Sequence, residues 1–258
     1  MTSRNLTGSL LALPEYQLQK FFPPKLRPQL QQLLPDLQTL DPDAYSEEEW
    51  QQRIREINPR ILLTGWGTRL LPPQPPPNLE YVCHLTGSMR ASLPRNYLEK
   101  GIPVTNWGDS ISHTIAEMAL FLTLHLLRNA TAYQDNLHYQ QKWKEDIPPD
   151  RSLFGRSVGI HGFGRIARKL VGLLQPFSPN LSAYSPPVPR DVFHQAGVRR
   201  ASSLEALFSE NEIVIEREGL TPETRGMVQA EHLAALPDQG ILVVVGRAGL
   251  IEEEALIQ

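Results

Sequence analysis

One short segment of the chain has the residue types and spacing of a phosphate-binding turn. It spans residues 162–167 and reads Gly-Phe-Gly-Arg-Ile-Ala, directly after an apolar run and at the start of a helical pattern. Gly162 permits a tight turn, Gly164 lets the backbone approach a diphosphate, and Ala167 lets helix and strand pack closely. The N–H groups and dipole at a helix start favour phosphate. The pattern predicts dinucleotide binding, and the alternative is a sharp turn without a ligand.

The position that would contact the adenosine ribose has lost the expected acid. An acid about 20 residues after such a turn, at the end of the next strand, accepts hydrogen bonds from the ribose of NAD. Here the strand ends at Tyr184 and is followed by Ser185, with Arg190 five residues later. Without the acid there is less repulsion of a 2′-phosphate, so NAD and NADP both remain possible cofactors.

The elements around this turn predict the second of two α/β domains. Strands are expected at 157–161, 181–185, 212–216 and 241–246, and helices at 165–175, at 203–210 and from about Glu252 to Gln258. Strands that alternate with helices in this way predict a Rossmann-type doubly wound parallel sheet, here incomplete at the carboxyl terminus.

The first hundred residues predict a smaller α/β layer. Short apolar runs indicate strands at 10–13, 60–64, 79–83 and 102–105, with a mostly helical spacing over 25–40 and a capped helix from Ser46. A helix over 112–129 is apolar nearly all round, with Ile115, Ala119, Leu122 and Leu126 on one face. Such a helix must be buried in a core or against a second subunit. Residues 130–157 are expected to be irregular.

Composition excludes several classes of function. The 258 residues include 25 Lys and Arg against 28 Asp and Glu, a net charge of −3, which gives no basic surface for nucleic acid or an anionic membrane. The single cysteine, Cys83, cannot form an internal disulfide and favours a reducing, cytoplasmic location. No histidine pair has the spacing of metal ligands, so no metal site is expected.

Several motifs follow one another in an order that resembles a known family. They are Ile102 to Asn106, Thr114 to Glu117, Ser157 to Ala167 and Leu220 to Gly226. In this order they are similar to the D-isomer-specific 2-hydroxyacid dehydrogenases, which include the phosphoglycerate, glyoxylate/hydroxypyruvate and D-lactate dehydrogenases. The resemblance implies NAD(P)-dependent hydride transfer between a nicotinamide and a 2-hydroxy or 2-keto acid. It also implies a flavodoxin-like substrate domain over 1–106, a dinucleotide domain over 107–258, and a homodimer formed through a helix and arm at 112–150.

The resemblance also assigns roles to individual residues. Arg247 matches the catalytic arginine that clamps the substrate carboxylate and polarises the adjacent carbonyl, the alternative being a solvent-facing arginine at a strand end. The substrate loop maps to Thr86, Gly87 and Ser88, whose backbone N–H groups would hold a carboxylate. The resemblance assigns Arg165 and Ile166 to the diphosphate, Ser185 to the ribose, and Glu218, Val245 and Gly246 to the nicotinamide side. Together with Gly162, Gly164 and Arg190, these are the predicted cofactor-binding residues.

The chain departs from the family pattern at several of these positions. Val244 replaces an asparagine, Ala248 and Gly219 replace a glycine and a proline, and Arg90 stands where an aspartate is usual. The family's acid/base histidine and its partner glutamate come on segments beyond Gln258, and His84 is the best substitute in this chain. We therefore expect weak or absent turnover, with a corepressor-like nucleotide-binding protein or a truncated, unstable pseudoenzyme as alternatives.

Overall fold

A computed structural model describes residues 8–257, which divide into two compact units. The first unit extends to Gly108, and the second begins at Asp109. Each contains one five-stranded sheet, and within each sheet all neighbouring strands pair in parallel. Parallel pairing requires helical crossovers between strands, which confirms the predicted α/β class.

The sheet of the first unit has the flavodoxin-like strand order β2-β1-β3-β4-β5. Its core is formed by apolar residues of β1 and β3 with Trp50, Ile54 and Tyr97 from the covering helices. The elements are β1 (Ser9–Ala12), α1 (Glu15–Phe21), α2 (Arg27–Leu33), β2 (Gln38–Leu40), α3 (Glu47–Ile57), β3 (Ile61–Thr64), β4 (Tyr81–His84), α4 (Asn96–Glu99) and β5 (Val104–Thr105).

Helix α3 begins where the capping residues predicted it, because Ser46 and Glu49 bond each other's backbone N–H groups. The helical spacing over 25–40 was misleading in its second half. The helix α2 ends at Leu33, and residues 38–40 form the edge strand β2. Pro35 has no N–H group and disfavours helical geometry at the residue before it, so the helix cannot continue through the leucines.

The sheet of the second unit has the order β10-β9-β6-β7-β8. Counted within the unit and read from the opposite edge, this is 3-2-1-4-5, which is the Rossmann order over five strands. The elements are α5 (Ser112–Leu127), α6 (Ala130–Asp135), β6 (Ser157–His161), α7 (Arg165–Leu174), β7 (Asn180–Tyr184), α8 (Arg190–Gln195), β8 (Arg199–Arg200), α9 (Leu204–Ser209), β9 (Ile213–Glu216), α10 (Ala230–Ala234) and β10 (Ile241–Val244).

The buried face of α5 is formed mainly by small residues. Ala116, Ala119, Thr123 and Leu127 point inward, whereas Leu126 is 44% exposed. Small residues allow α5 to pack closely against α7, so the larger apolar side chains are displaced to the outside. Of the face predicted to contain Ile115, Ala119, Leu122 and Leu126, Ala119 is buried, Ile115 and Leu122 are half-buried, and Leu126 is exposed.

Two other regions differ from their predicted structure. Residues 130–157 contain α6 and a π-helical turn over Asn136–Gln140 rather than only irregular chain. The helix expected from Glu252 is a single 3-10 turn, Glu253–Leu256, because Ile251 is buried and pairs with Val228 immediately before it. The short elements β8, α8 and α10 escaped prediction because two to six residues are too few to establish a periodicity.

No helix within residues 8–257 combines the length and the apolar composition that a membrane crossing needs. Over the same residues, no group of three or more His, Cys, Asp or Glu side chains is placed to hold a metal ion.

Candidate functional site

The glycine-rich turn joins the central strand β6 to the start of α7. Gly162 has a φ of 88°, and its N–H donates to the carbonyl of Tyr184 at 2.8 Å. A Cβ built on Gly162 would lie 2.6 Å from the Cα of Glu218, so no larger residue fits. The turn therefore depends on glycine both for its backbone conformation and for the close approach of the chain that follows β9.

The second glycine leaves the start of α7 accessible to a ligand. Gly164 is the N-cap residue of α7, and its cap is not made by a side chain. A Cβ built there would meet only a guanidinium nitrogen, Nη1 of Arg217, at 3.1 Å. The first turn of α7 thus offers unpaired N–H groups beside a cation, which is the chemistry that a diphosphate needs. The turn fits the cofactor that the sequence predicted.

Arg217 also lies beside this turn, although no motif in the sequence indicated it. Its Nε atom is buried and has no hydrogen-bond partner among residues 8–257. Burial lowers the pKa of the Arg217 guanidinium below its usual range, partly offset by the charges of Glu216 and Glu218. A cation between two acids at the end of β9 was visible in the sequence, but its approach to Gly164 depends on the pairing of β6 with β9.

A buried polar pair joins the strand ends next to the turn. His161 and Glu216, the last residues of β6 and β9, are both fully buried and hydrogen-bond through Nδ1 and Oε2. The other carboxylate oxygen of Glu216 accepts from the N–H of Glu218 at 2.8 Å. Glu216 therefore fixes both the adjacent strand end and the start of the loop that lies over Gly162.

An acid does lie at the predicted ribose position, but it comes from another strand. Ser185, which follows β7 and is 2% exposed, donates its hydroxyl to Oε2 of Glu218 at 2.8 Å. Arg190, the cation predicted near the ribose, is the first residue of α8 and lines a cleft with Tyr184 and Arg200.

The remaining predicted cofactor positions lie along the same carboxyl edge of the sheet. The N–H groups of Val245 and Gly246, after β10, both donate to the carbonyl of Glu216 at 3.0 Å. Arg165, the first residue of α7, is exposed, and Ile166 packs against the core.

Arg247 follows Gly246 and is exposed at the start of the 3-10 turn Ala248–Leu250. Parallel strands have their carboxyl ends at one edge, so Arg247 and the glycine turn lie at the same edge of the second unit's sheet.

The predicted substrate loop lies at the corresponding edge of the first unit, after β4. The Gly87 carbonyl accepts from Nδ2 of Asn106 at 2.7 Å, and the Thr86 carbonyl accepts from the N–H of Trp107 at 3.1 Å. By contrast, the N–H groups of Thr86, Gly87 and Ser88 donate to no protein acceptor within residues 8–257. Successive unpaired N–H groups in a loop can bind an anion such as a carboxylate.

His84, the best substitute for an acid/base, is held in the structure of the first unit. It is 2% exposed, and its two ring nitrogens bond the hydroxyls of Thr64 at 2.9 Å and Thr86 at 2.7 Å. Burial lowers the pKa of the His84 imidazole because the charged form loses its hydration.

Comparison with known families identifies the chain. Residues 120–258, more than half of the chain, match the family model described as "D-isomer specific 2-hydroxyacid dehydrogenase, NAD binding domain". The chain belongs to the D-isomer specific 2-hydroxyacid dehydrogenase family. This confirms the resemblance that the order of the motifs indicated.

Individual members of the D-2-hydroxyacid dehydrogenase family are similar over part of their length. The chain is 32% identical over 163 residues to a D-3-phosphoglycerate dehydrogenase of Methanocaldococcus jannaschii, covering 62% of this chain and 30% of that protein. It is 30% identical over 183 residues to a glyoxylate/hydroxypyruvate reductase A of Arabidopsis thaliana, covering 70% and 57%. The match thus spans less than two thirds of either relative.

Solved structures share the fold of the D-2-hydroxyacid dehydrogenases along almost all of this chain. A glyoxylate reductase from Paecilomyes thermophila superposes with a TM-score of 0.77 at 18% identity, covering 97% of this chain and 77% of that one.

Proposed function

We propose that this protein is an NAD(P)-dependent oxidoreductase that transfers a hydride between a nicotinamide cofactor and a 2-hydroxy or 2-keto acid. The observation that carries the proposal is the turn between β6 and α7. No residue larger than glycine fits at position 162, and Gly164 leaves the start of α7 accessible. Both glycines lie within the segment that matches the family's NAD-binding domain. This combination is the chemistry of a dinucleotide diphosphate site.

Different residues of the second unit bind the diphosphate and the nicotinamide of the cofactor. The N–H groups of Arg165 and Ile166 at the start of α7 bind the diphosphate, beside the guanidinium of Arg217. The family resemblance assigns Val245 and Gly246, which follow β10, to the nicotinamide. The bound nicotinamide supplies or accepts the hydride.

Each unit has one group of donors that can bind a carboxylate. Arg247 offers a planar guanidinium that binds a carboxylate through two parallel hydrogen bonds and polarises the carbonyl next to it. The unpaired N–H groups of residues 86–88 bind the same class of anion. We propose that residues 1–106 form the substrate domain and residues 107–258 the dinucleotide domain.

Binding without turnover is the second candidate function, and the state of two histidines favours it. His84 has both ring nitrogens hydrogen-bonded within the core, and His161 is fully buried against Glu216. Neither is placed to exchange a proton with a substrate in a solvent-accessible site. The chain would then sense nucleotide, as corepressor-like members of the family do.

Two measurements on the purified chain test the proposal and separate the candidates. Titration with NADH and with NADPH, followed by nicotinamide fluorescence, tests the cofactor site; no binding of either would refute both candidates. Glyoxylate, hydroxypyruvate and pyruvate are then added with the bound nucleotide. Loss of absorbance at the nicotinamide band supports the oxidoreductase, whereas binding without such loss supports the nucleotide sensor. Arg247→Ala should abolish any turnover and leave nucleotide binding intact.

We also propose that the protein forms a homodimer through α5 and the arm that ends at residue 150. Met118 and Phe121 on the outer face of α5 are 48% and 57% exposed, and Leu126 adds to the same apolar surface. Apolar surface of this kind is characteristic of protein–protein contacts. Cys83 carries a free thiol, which suits the cytoplasmic location that we propose.

A further inference from the structure

The carboxylate of Glu218 lies at the end of β7, although Glu218 follows β9. In the order β9-β6-β7 these two strands are separated by β6. The chain after β9 passes directly over Gly162, where only the absence of a side chain leaves room for it, and Glu218 then reaches Ser185. The end of β7 is where a doubly wound fold contacts the adenosine ribose. The fold thus restores, from a different strand, the acid that Ser185 replaces.

The Glu218 carboxylate is held in place at both oxygens. Oε2 accepts from the Ser185 hydroxyl at 2.8 Å, and Oε1 accepts from the N–H of Gly219 at 2.7 Å. The backbone N–H of Glu218 is bound in turn by Glu216. Each oxygen of an ionised carboxylate has a second lone pair, so Glu218 can still accept hydrogen bonds from two ribose hydroxyls.

The same carboxylate opposes a phosphate at the ribose 2′ position. A 2′-phosphate would bring negative charge next to Glu218 and would replace a hydroxyl donor by acceptor oxygens. Three cations lie near this position. Arg217 is next to Glu218 in the chain and its charge interacts with Glu218, but its Nη1 lies 3.1 Å from the Cβ position of Gly164, beside the glycine turn. Nη2 of Arg200 donates to the carbonyl of Pro186 at 3.4 Å. The guanidinium of Arg200 lies over the ring of Phe193, 5.7 Å from its centroid, and Arg190 lines the cleft beyond Tyr184.

We propose that Glu218, positioned by Ser185, selects NAD over NADP. This inference rests on the proposed dinucleotide site at residues 162–167. It assigns Glu218 to the adenosine ribose rather than to the nicotinamide side, where the family resemblance had placed it.

The test compares the affinities of the full chain for NADH and for NADPH by nicotinamide fluorescence, in wild type and in Glu218→Gln. Wild type should bind NADH at least about tenfold more tightly, a difference of about 1.4 kcal/mol. Glu218→Gln should remove most of this preference by improving NADPH binding. Glu205→Gln, the same change at an exposed site on α9, should leave the ratio unchanged.

The outcomes separate this inference from the proposed function. Wild type that binds neither nucleotide refutes the dinucleotide site and the inference with it. Wild type that binds both equally, or NADPH more tightly, overturns the inference alone, and Arg190→Gln then shows whether Arg190 binds the 2′-phosphate. An unchanged ratio in Glu218→Gln also overturns it. If Glu218→Gln does not fold, Ser185→Ala replaces it in the test. This change removes the hydroxyl that positions the Glu218 carboxylate, so the preference for NADH over NADPH should decrease. An unchanged ratio of the two affinities contradicts the proposal.

Discussion

At the scale of single residues, Gly162 and Gly172 make a matched pair. Gly162→Ala places a Cβ 2.6 Å from the backbone of Glu218 at a φ of 88°, whereas the space around Gly172, within α7, is open. We expect Gly162→Ala to destabilise the fold by about 1–3 kcal/mol and to weaken NADH binding. Gly172→Ala should instead stabilise it by roughly 0.5–1 kcal/mol. Urea unfolding measures the free energy of unfolding of both variants, and titration with NADH measures their binding. Equal effects of the two substitutions would contradict the role assigned to Gly162 in the turn.

The buried histidine of the first unit predicts a dependence of stability on pH. The pKa of His84 is lowered by burial from the ordinary value of 6.5, so the unfolded chain binds this proton more readily. The free energy of unfolding should therefore fall as the pH drops below about 6.5, by at most about 1.4 kcal/mol per pH unit from this group. His84→Asn should show a shallower slope between pH 7.5 and 5 in urea unfolding. Identical slopes would show that His84 is not the group responsible.

At the scale of elements, the ends of β6 and β9 are coupled by a buried polar pair. Removing one partner with His161→Leu leaves the carboxylate of Glu216 buried with one hydrogen bond fewer. We expect a loss of about 3–5 kcal/mol in the free energy of unfolding, as for other broken buried pairs. The double variant His161→Leu/Glu216→Leu should recover much of this loss, because two apolar residues in register pack well between parallel strands.

A double-mutant cycle by chemical denaturation measures this coupling. Recovery should be incomplete, since the N–H of Glu218 loses its acceptor on Glu216. Strictly additive losses in the two single variants would mean that the pair contributes no coupling between the strands.

At the scale of the whole molecule, the outer face of α5 predicts the oligomeric state. The chain should elute with a mass of twice 29.1 kDa in size-exclusion chromatography with light scattering. Phe121→Glu, at a residue 57% exposed, should shift it toward the monomer, because a charge in an apolar interface remains unpaired. Leu33→Glu, on the similarly exposed Leu33 of α2, is the control and should leave the mass unchanged. A monomeric wild-type chain would refute the proposed dimer.

Local patterns in the sequence determined the class of fold, the turn and the family. These patterns are local, because each involves residues only a few positions apart. They are the glycines at 162 and 164, the capping residues at 46 and 49, and the spacing of short apolar runs. Local patterns of this kind directly determine the backbone φ angle, the helix cap and the hydrophobic periodicity of an element. They identified the strand–turn–helix unit and most of the strands without any knowledge of tertiary contacts.

Only the tertiary structure decided which side chains meet. Glu218 and Ser185 are 33 residues apart and follow strands separated by β6, so their hydrogen bond depends on strand order and register. The same is true of His161 and Glu216, and of the close contact between α5 and α7 that turned the small residues of α5 inward. These contacts depend on packing across the sheet, which periodicity along the chain does not encode.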